Sequence, residues 1–462
     1  MLHLVHLLER RFGARRAPHA AMRLLFASGL LLMLGLGLLL SGRAAAQATP
    51  IDGAAIAGRL LDHLDAGRYA DAEAMFGPDM AKAVPADKLK AVWESLPAQA
   101  GEAKGRGDAA TMTQGDAILV KLPLHYAKAE LLAKLAIGAD GRIVGFLIQP
   151  AEAPAAAPPA EDANFSEGDF RVGDGERALP GTLAMPRGKG PFPAVVLVHG
   201  SGAHDRDETI GPNKPFLDIA RGLAAQGIAV LRYEKRSKAR PQDLAGGNFS
   251  VDDETTNDAV LAVDALRKAD GIDPKRVFVL GHSQGGMMAP RIAAVSGHVA
   301  GLVLMAAPAR PLLDIVIEQN RRLAVLDDGK TSDAERDAIA KLTEQVRTTR
   351  DPLTDPASKT VLGQPAGYWR SIDAVDAVAE ARSVALPMLV LQGARDIQVV
   401  DADWGRWRAA FHADKRVEFK LYDKVNHLGI AGEGDGNLAE YNTPGHVAAA
   451  LIDDVAGWIK AH

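Results

Sequence analysis

A serine between glycines, in Gly281-His282-Ser283-Gln284-Gly285, is the feature of this sequence that points most directly to chemistry. The buried-strand pattern Arg276 to Gly281 precedes it, and a helical pattern from Met287 to Val295 follows it. Between a strand and a helix, Gly-x-Ser-x-Gly holds the serine in a strained turn, because side chains two positions away on either side would collide there. The turn exposes the serine oxygen, so we expect Ser283 to be a nucleophile that attacks an acyl carbon.

A serine hydroxyl needs a base that takes its proton, usually a histidine that a carboxylate orients. In proteins with this turn the chain order is serine, acid, histidine. Four of the 13 histidines lie far enough downstream, namely His412, His427, His446 and His462. We favour His427 because it follows the strand pattern Val417 to Tyr422 in a loop, from which its side chain can reach over the sheet edge. His446, at the start of the last helical pattern, is the alternative.

The acid that best fits this order is Asp396. It follows the strand pattern Pro387 to Gln392 through a short turn, at the carboxyl end of the strand. Asp401 and Asp403 are the alternatives, although they resemble the cap of the helix that carries Trp404.

The charge that develops on the attacked carbonyl oxygen requires two hydrogen-bond donors. We expect one to be the backbone N–H of Gln284, at the start of a helix whose dipole also favours negative charge. The other should be the N–H of Ser201, in the small-residue loop His199-Gly200-Ser201-Gly202 after the strand pattern Phe192 to Val198. His199 itself and His282 are expected to shape these loops through hydrogen bonds rather than to react.

The elements that must position these residues alternate between buried strands and helices, which is typical of α/β proteins with a mostly parallel sheet. Two capping boxes, Ser250 with Asp253 and Ser332 with Glu335, predict helix starts. Residues 310–382 interrupt this alternation with a helical sequence pattern and predict a cap insertion over the carboxyl ends of the strands. The predicted strands are Phe192 to Val198, Ile228 to Tyr233, Val277 to Gly281, Val299 to Met305, Pro387 to Gln392 and Val417 to Tyr422.

The chain before residue 161 divides into three predicted segments. Residues 1–46 have the cationic start, apolar run and Ala-x-Ala exit of a signal peptide, with Met22 as a possible true start. Residues 50–150 predict a small α+β domain with strands over Ala117 to Leu124 and Ile143 to Ile148, and residues 151–160 predict a proline-rich linker. We expect an exported protein, periplasmic or secreted, without stable membrane embedding after cleavage. An uncleaved anchor is the alternative.

Composition limits the possible functions of this chain. Its 462 residues suffice for two or three domains, and the formal charge of −5 offers no basic field for nucleic acid. With no cysteine, the nucleophile must be oxygen or nitrogen, and thiolate metal sites are excluded. The segment 432–437 lacks the spacing of a calcium loop, so we predict no metal.

Taken together, these residues resemble the α/β-hydrolase superfamily, in particular exported bacterial esterase-like members with a DUF3887-type N-terminal domain. The resemblance extends to proteins classed as serine aminopeptidases (S33) and as dienelactone-hydrolase-like. It rests on the serine turn, on Gln392-Gly393 with Asp396, on Asn426-His427-Leu428 and on further strings such as Asp205-Arg206-Asp207-Glu208 and Arg232-Tyr233-Glu234-Lys235-Arg236.

This resemblance implies an α/β-hydrolase fold and hydrolysis of a small carboxylic ester by Ser283, His427 and Asp396, with no cofactor. It also implies that Asp205 and Arg206 lie beside the loop His199-Gly200-Ser201-Gly202, called the oxyanion loop below. There they bind a polar substrate group or form an internal ion pair. The adjacent Tyr368 and Trp369 are candidates for an aromatic wall around the substrate. A peptidase for small peptides and a binding protein on a hydrolase fold are the alternative functions.

Overall fold

The structure is a computed structural model that describes residues 51–114, 117–127, 129–151, 163–326 and 329–462. The predicted signal peptide and all but the first residue of the predicted linker lie outside these ranges. The chain divides into two compact units, Met1–Ala153 and Pro154–His462. In the described ranges, no helix has both the length and the apolar character needed to cross a membrane.

The first unit combines helices with an antiparallel sheet, which confirms the predicted small α+β domain. Its sheet has the order β1-β3-β4-β5, and β2 pairs with β3. Side chains of β3 and β4 alternate between buried and more exposed, so one face packs on the helices through residues such as Leu60, Leu122 and Leu135. The elements are α1 (Gly53–Asp65), α2 (Tyr69–Ala74), α3 (Pro78–Ala83), α4 (Ala86–Ala100), β1 (Ala103–Arg106), β2 (Ala110–Gln114), β3 (Ala117–Tyr126), β4 (Glu130–Ile137) and β5 (Ile143–Pro150).

The second unit contains an eight-stranded sheet in the order β13-β12-β11-β10-β8-β9-β7-β6. All neighbours from β9 through β8 to β13 pair in parallel, whereas β7 pairs antiparallel with both β9 and β6. The predicted mostly parallel sheet is therefore confirmed. The strands are β6 (Phe165–Val172), β7 (Leu179–Pro186), β8 (Phe192–Val198), β9 (Ala229–Tyr233), β10 (Ile272–His282), β11 (Leu302–Met305), β12 (Met388–Gly393) and β13 (Val417–Tyr422).

Helices cover both faces of this sheet. Alternate side chains of β8 enter two separate hydrophobic clusters, Val196 on one face and Val195 and Leu197 on the other, because successive residues of a strand point to opposite faces. The helices are α5 (Pro215–Ala224), α6 (Arg236–Ala239), α7 (Asn257–Leu266), α8 (Gln284–Ser296), α9 (Leu312–Val325), α10 (Asp333–Arg350), α11 (Ala366–Asp373), α12 (Ala377–Val384), α13 (Asp401–Phe411) and α14 (Ala449–Ala461).

The predicted insertion consists of helices α9 to α12, which lie in the chain between β11 and β12. Both predicted capping boxes are present. Ser332 accepts a hydrogen bond from the N–H of Glu335, and the Ser332 N–H donates in return to the Glu335 carboxylate. Ser250 and Asp253 make the same reciprocal pair, ahead of a π-helical turn, Asp252–Thr256, that leads into α7.

Candidate active site

The predicted nucleophile, Ser283, is the single residue between β10 and α8. Its φ and ψ are 52° and −120°, a conformation that costs a non-glycine residue energy and that its surroundings must enforce. The flanking glycines are required by space: a Cβ on Gly281 would overlap the main-chain oxygen of Gly285, and a Cβ on Gly285 would overlap that of Val198. The half-buried Ser283 is therefore held in the strained turn that the sequence predicts.

The predicted base and acid are in direct contact. Nδ1 of His427 lies 2.7 Å from Oδ2 of Asp396, and both side chains are almost completely buried. The other carboxylate oxygen, Oδ1, accepts hydrogen bonds from the N–H groups of Gln398 and Val399 at 2.8 and 2.9 Å. With Oδ1 held by these two amides and Oδ2 facing the ring, the carboxylate fixes both the orientation and the tautomer of the imidazole.

The loop that carries His427 follows β13 and passes close to the end of β12. A Cβ on Gly393 would overlap the main-chain oxygen of Val425. The side-chain oxygen of Asn426 accepts from the N–H groups of Leu428 and Ile430, at 3.0 and 3.2 Å, which closes the loop around His427. These contacts explain how a histidine after one strand meets an aspartate after its neighbour.

The alternative residues lie in other environments. The His446 side chain is 88% exposed and contacts Asp218, 3.0 Å away, on α5. Asp403 is buried on α13, where it accepts from the N–H of Ala309 and pairs with Arg310. Asp401 is the exposed first residue of α13, but the N-cap position is Val400 and no side chain caps this helix start, so the predicted capping role of Asp401 is wrong.

The loop after β8 passes directly over the serine turn, since a Cβ on Gly200 would lie 3.2 Å from the Cβ of Ser283. Among the described residues, the N–H of Gly200 donates to Glu208 at 2.6 Å, whereas the N–H of Ser201 donates to no protein acceptor. Gln284 begins α8, so its N–H has no acceptor within the helix. The two predicted oxyanion donors are thus amides that the fold leaves available.

The histidines next to these loops are structural, as expected. Nε2 of His199 lies 3.0 Å from the main-chain oxygen of Asp205, and burial lowers the pKa of His199 to about 3, so the ring is neutral. His282 bridges two partners, with Nδ1 2.9 Å from Glu208 and Nε2 2.9 Å from the main-chain oxygen of His427. This bridge joins the serine turn to the loop of His427.

Three buried charged residues around the oxyanion loop, Glu208, Lys235 and Glu254, are absent from the sequence-based set. Lys235 donates to the main-chain oxygen of Gly200 at 2.8 Å and pairs with Glu254, whose Oε1 lies 3.4 Å from its Nζ. Glu208 and Lys235 belong to the strings on which the resemblance rests. A pair of charged residues, Glu234 and Lys235, directly after the buried strand β9 is the signal that could have identified Lys235.

Tyr368 and Trp369 both lie on α11 of the insertion but have different surroundings. The Tyr368 hydroxyl donates to Glu254 at 2.8 Å and accepts from the side chain of Gln284 at 3.4 Å, so Tyr368 reaches the residue next to Ser283. Burial and the charge of Glu254 raise the pKa of Tyr368 well above its ordinary value, which keeps the hydroxyl protonated. The indole N–H of Trp369 donates to the main-chain oxygen of Val361, and the ring packs in the core.

Asp205 and Arg206 lie beside the oxyanion loop, with protein partners of their own. Arg206 forms its ion pair with Glu234, at 2.9 Å, rather than with Asp205, and it donates to the hydroxyl of Thr182 on β7. Oδ1 of Asp205 accepts from the N–H groups of Asp207 and Thr209 and shapes the turn. A substrate role for either residue stays a prediction.

The glycine-rich segment 432–437 surrounds the guanidinium of Arg395. Arg395 donates to the main-chain oxygens of Glu433 and Gly434 and pairs with the carboxylate of Glu440. Carbonyl oxygens that could have ligated a cation are therefore engaged by an arginine.

Comparison with known proteins agrees with this architecture. Residues 190–434 match the family described as serine aminopeptidase, S33, and residues 57–146 match the family described as protein of unknown function (DUF3887). Esterase EstD of Thermotoga maritima is 34% identical over 86% of this chain and 93% of its own length.

Two solved structures illustrate more distant similarity. An esterase of Pyrococcus furiosus covers 67% of this chain and 97% of its own, at 16% identity and a TM-score of 0.41. Est1E of Butyrivibrio proteoclasticus covers 64% of this chain and 96% of its own, at 16% identity and a TM-score of 0.40. The sheet order, the family match and the long alignment to EstD show that this chain belongs to the serine aminopeptidase (S33) family of α/β-hydrolases and carries an N-terminal DUF3887 domain.

Proposed function

We propose that this esterase-like hydrolase cleaves small carboxylic esters through an acyl-enzyme intermediate on Ser283. The observation that carries the proposal is the 2.7 Å contact between Nδ1 of His427 and Asp396, in a loop that His282 ties to the serine turn. An imidazole oriented through Nδ1 in this way has its Nε2 directed away from the carboxylate and able to act as the base. The name of the relative, Esterase EstD, supports the choice of esters.

In the proposed mechanism the Ser283 oxygen attacks the ester carbonyl carbon while His427 accepts the hydroxyl proton. The carbonyl electron pair moves onto oxygen, where the N–H groups of Ser201 and Gln284 donate to it. As the intermediate collapses, the bond to the alcohol breaks and His427 returns its proton to the leaving oxygen. Water then attacks the acyl-enzyme by the same sequence and releases the acid, so no further group is required.

Hydrolysis of small peptides is the second candidate, because the matching family is described as a serine aminopeptidase. An aminopeptidase needs unpaired acidic groups for the substrate ammonium, and the insertion is the natural place for them. There, however, Glu318 pairs with Arg310, Asp373 with Arg350 and Glu344 with Arg347. Arginines compensate these three charges, so a site for a substrate ammonium would have to use other acids of the insertion.

The two candidates are separated by comparing rates on a nitrophenyl acetate, which releases a nitrophenol, and on an aminoacyl nitroanilide, which releases a nitroaniline. We expect cleavage of the ester at least 100-fold faster than of the amide, and neither reaction with Ser283→Ala. Cleavage of the amide alone would establish the peptidase. Extending the ester panel to longer acyl chains and to acetylated and feruloylated sugars defines the substrate.

We further propose that the chain is exported to the periplasm or secreted and cleaved after Ala46, on the sequence pattern of residues 1–46. Sequencing the N-terminus of protein purified from the periplasm and the medium tests this. We expect Gln47 as the first residue. A membrane-bound chain that retains Met22 or an earlier start would contradict the proposal.

A further inference from the structure

The peptide group that joins Gly200 to Ser201 is held by a buried lysine. Nζ of Lys235 donates to the carbonyl oxygen of Gly200 at 2.8 Å, and the Lys235 side chain is only 3% exposed. A trans peptide is planar, with its C=O and its N–H on opposite sides. Fixing the Gly200 carbonyl on Lys235 therefore directs the Ser201 N–H away from the lysine.

Other polar groups of this loop are held by hydrogen bonds. The N–H of Gly200 donates to Glu208 at 2.6 Å, and the carbonyl of Ser201 lies 2.8 Å from Nε2 of His204. The main-chain N–H of Lys235 donates in turn to the carbonyl of His204 at 3.1 Å. Lys235 thus contacts the loop at two points, through its side chain and its backbone.

A buried ammonium is costly unless it is paired and hydrogen-bonded. Here Oε1 of Glu254 lies 3.4 Å from Nζ of Lys235, and its side chain is 7% exposed. The other oxygen of Glu254 accepts from the Tyr368 hydroxyl at 2.8 Å. The fold thus stabilises the ammonium group of Lys235, which donates a hydrogen bond to the Gly200 carbonyl next to the serine turn.

We propose that Lys235 is a positioning residue for the oxyanion hole, which orients and polarises the Gly200–Ser201 peptide so that the Ser201 N–H meets the developing oxyanion. A charged donor on the carbonyl draws electron density through the amide and makes its N–H a stronger donor. The effect is largest in the transition state, where the carbonyl oxygen of the substrate becomes negative. The inference rests on the proposed ester hydrolysis.

The test combines Lys235→Met, Glu254→Gln and the double variant Lys235→Met/Glu254→Gln. Asp258→Asn is the control, since Asp258 is a buried acid paired with Arg236 that has no hydrogen bond to the oxyanion loop. Each variant is assayed for kcat and KM on an aryl acetate and for inhibition by an aryl trifluoromethyl ketone. Serine adds to this ketone and creates a tetrahedral oxyanion in the site.

Removal of one oxyanion donor typically lowers kcat by about 100–1,000-fold. Because Lys235→Met leaves the Ser201 N–H in place but no longer orients it, we expect a smaller fall in kcat, of about 10–100-fold. KM should change less than threefold, and affinity for the ketone should fall by the same factor as kcat/KM. The double variant leaves no stranded buried charge and should remain equally impaired. Glu254→Gln, which removes the carboxylate that pairs with Lys235, should lower kcat less than Lys235→Met does, and Asp258→Asn should stay within threefold of the wild type.

Several outcomes would overturn this inference. Recovery of kcat in the double variant would show that Lys235→Met acts only by leaving Glu254 unpaired. Unchanged ketone affinity in either variant that lacks Lys235 would show that the oxyanion site does not depend on it. If Lys235→Met does not fold, the double variant decides alone. A wild-type protein that cleaves no ester and does not bind the ketone would instead refute the proposed function.

Discussion

Glu208 and His282 form an ion pair in the interior of the hydrolase unit, with 2.9 Å between Oε2 and Nδ1 and side-chain exposures of 0% and 3%. Oε1 of Glu208 accepts from the N–H of Gly200, and Nε2 of His282 lies 2.9 Å from the main-chain oxygen of His427. One buried pair thus connects the oxyanion loop to the histidine loop.

This pair predicts a specific pH dependence of stability. Burial raises the pKa of Glu208, but the charge and hydrogen bond of His282 outweigh burial and lower the pKa to about 2. For His282, burial lowers the pKa, and the charge of Glu208 outweighs it and raises the pKa. Asp396 adds to this rise, whereas the nearby His204 opposes a charge on His282. The ring of His427 lies 4.8 Å away, centroid to centroid.

The stabilisation from the Glu208 charge is therefore present above about pH 4.5 and is lost as the pH falls toward 2. The stabilisation from the His282 charge is present below about pH 6.5 and is lost as the pH rises through the higher pKa of His282 in the folded protein. We expect the free-energy difference between the wild type and Glu208→Gln to be largest between about pH 4.5 and 6.5. Denaturant unfolding at pH 4 to 9 measures it. A difference that stays constant above pH 6.5 would contradict a charged His282.

The acid of the site is tested by Asp396→Asn. An amide at this position donates to Nδ1 of His427 and stabilises the wrong tautomer, so kcat should fall by about 1,000–10,000-fold with little loss of stability. Asp403→Asn is the matched control, because Asp403 is equally buried and pairs with Arg310. It should lower stability and leave kcat within threefold. The reverse result would identify Asp403 as the acid.

The serine turn predicts that Gly285→Ala is severely destabilising. Its Cβ would meet the main-chain oxygens of Val198 and His199, which cannot move without distorting β8. We expect a loss of more than about 3 kcal/mol in the free energy of unfolding, at the upper end for overpacking. Gly457→Ala, in open space on α14, should be neutral or stabilising by up to about 1 kcal/mol. Equal effects in thermal unfolding would refute the turn geometry.

The fold and the site differ in how far the sequence alone predicts them. The apolar run of the central strand β8 identifies it residue for residue, because this strand is buried, and the edge strand β13 is identified by its alternation of apolar and polar residues. The strands β6, at the opposite edge, and β7, beside it, are not predicted because their polar and apolar residues mix without clear alternation. In the first unit β1, β2 and β4 are not predicted either, and β4 consists largely of Leu, Ala, Lys and Glu, which favour helices.

The triad residues could be predicted because each follows a strand, and the sequence indicates where these strands end. The network behind them could not be predicted. Glu208 and Glu254 look like ordinary surface acids, and only the fold brings them next to His282 and Lys235. Burial of a charge depends on tertiary contacts between segments far apart in the chain, which periodicity does not encode.

Tyr368 links the insertion to the site, and Tyr368→Phe tests that link. The variant removes the hydrogen bond to Oε2 of the buried Glu254 and the one from the Gln284 amide, which should cost about 1–3 kcal/mol in the free energy of unfolding. Tyr422→Phe is the control, because its hydroxyl bonds to the partly exposed Asp454, and it should cost less than about 1 kcal/mol. Equal losses in denaturant unfolding would show that the Tyr368 hydroxyl contributes nothing beyond an exposed one.

The central claim is that the Ser283 oxygen forms the bond to the acyl group. It is tested most directly by treating the whole protein with a fluorophosphonate and mapping the modified peptide by mass spectrometry, with Ser283→Ala as the control. We expect one adduct, on Ser283, formed in step with the loss of ester hydrolysis, and neither adduct nor hydrolysis in Ser283→Ala. An adduct on another residue, or hydrolysis that survives in Ser283→Ala, would contradict the account.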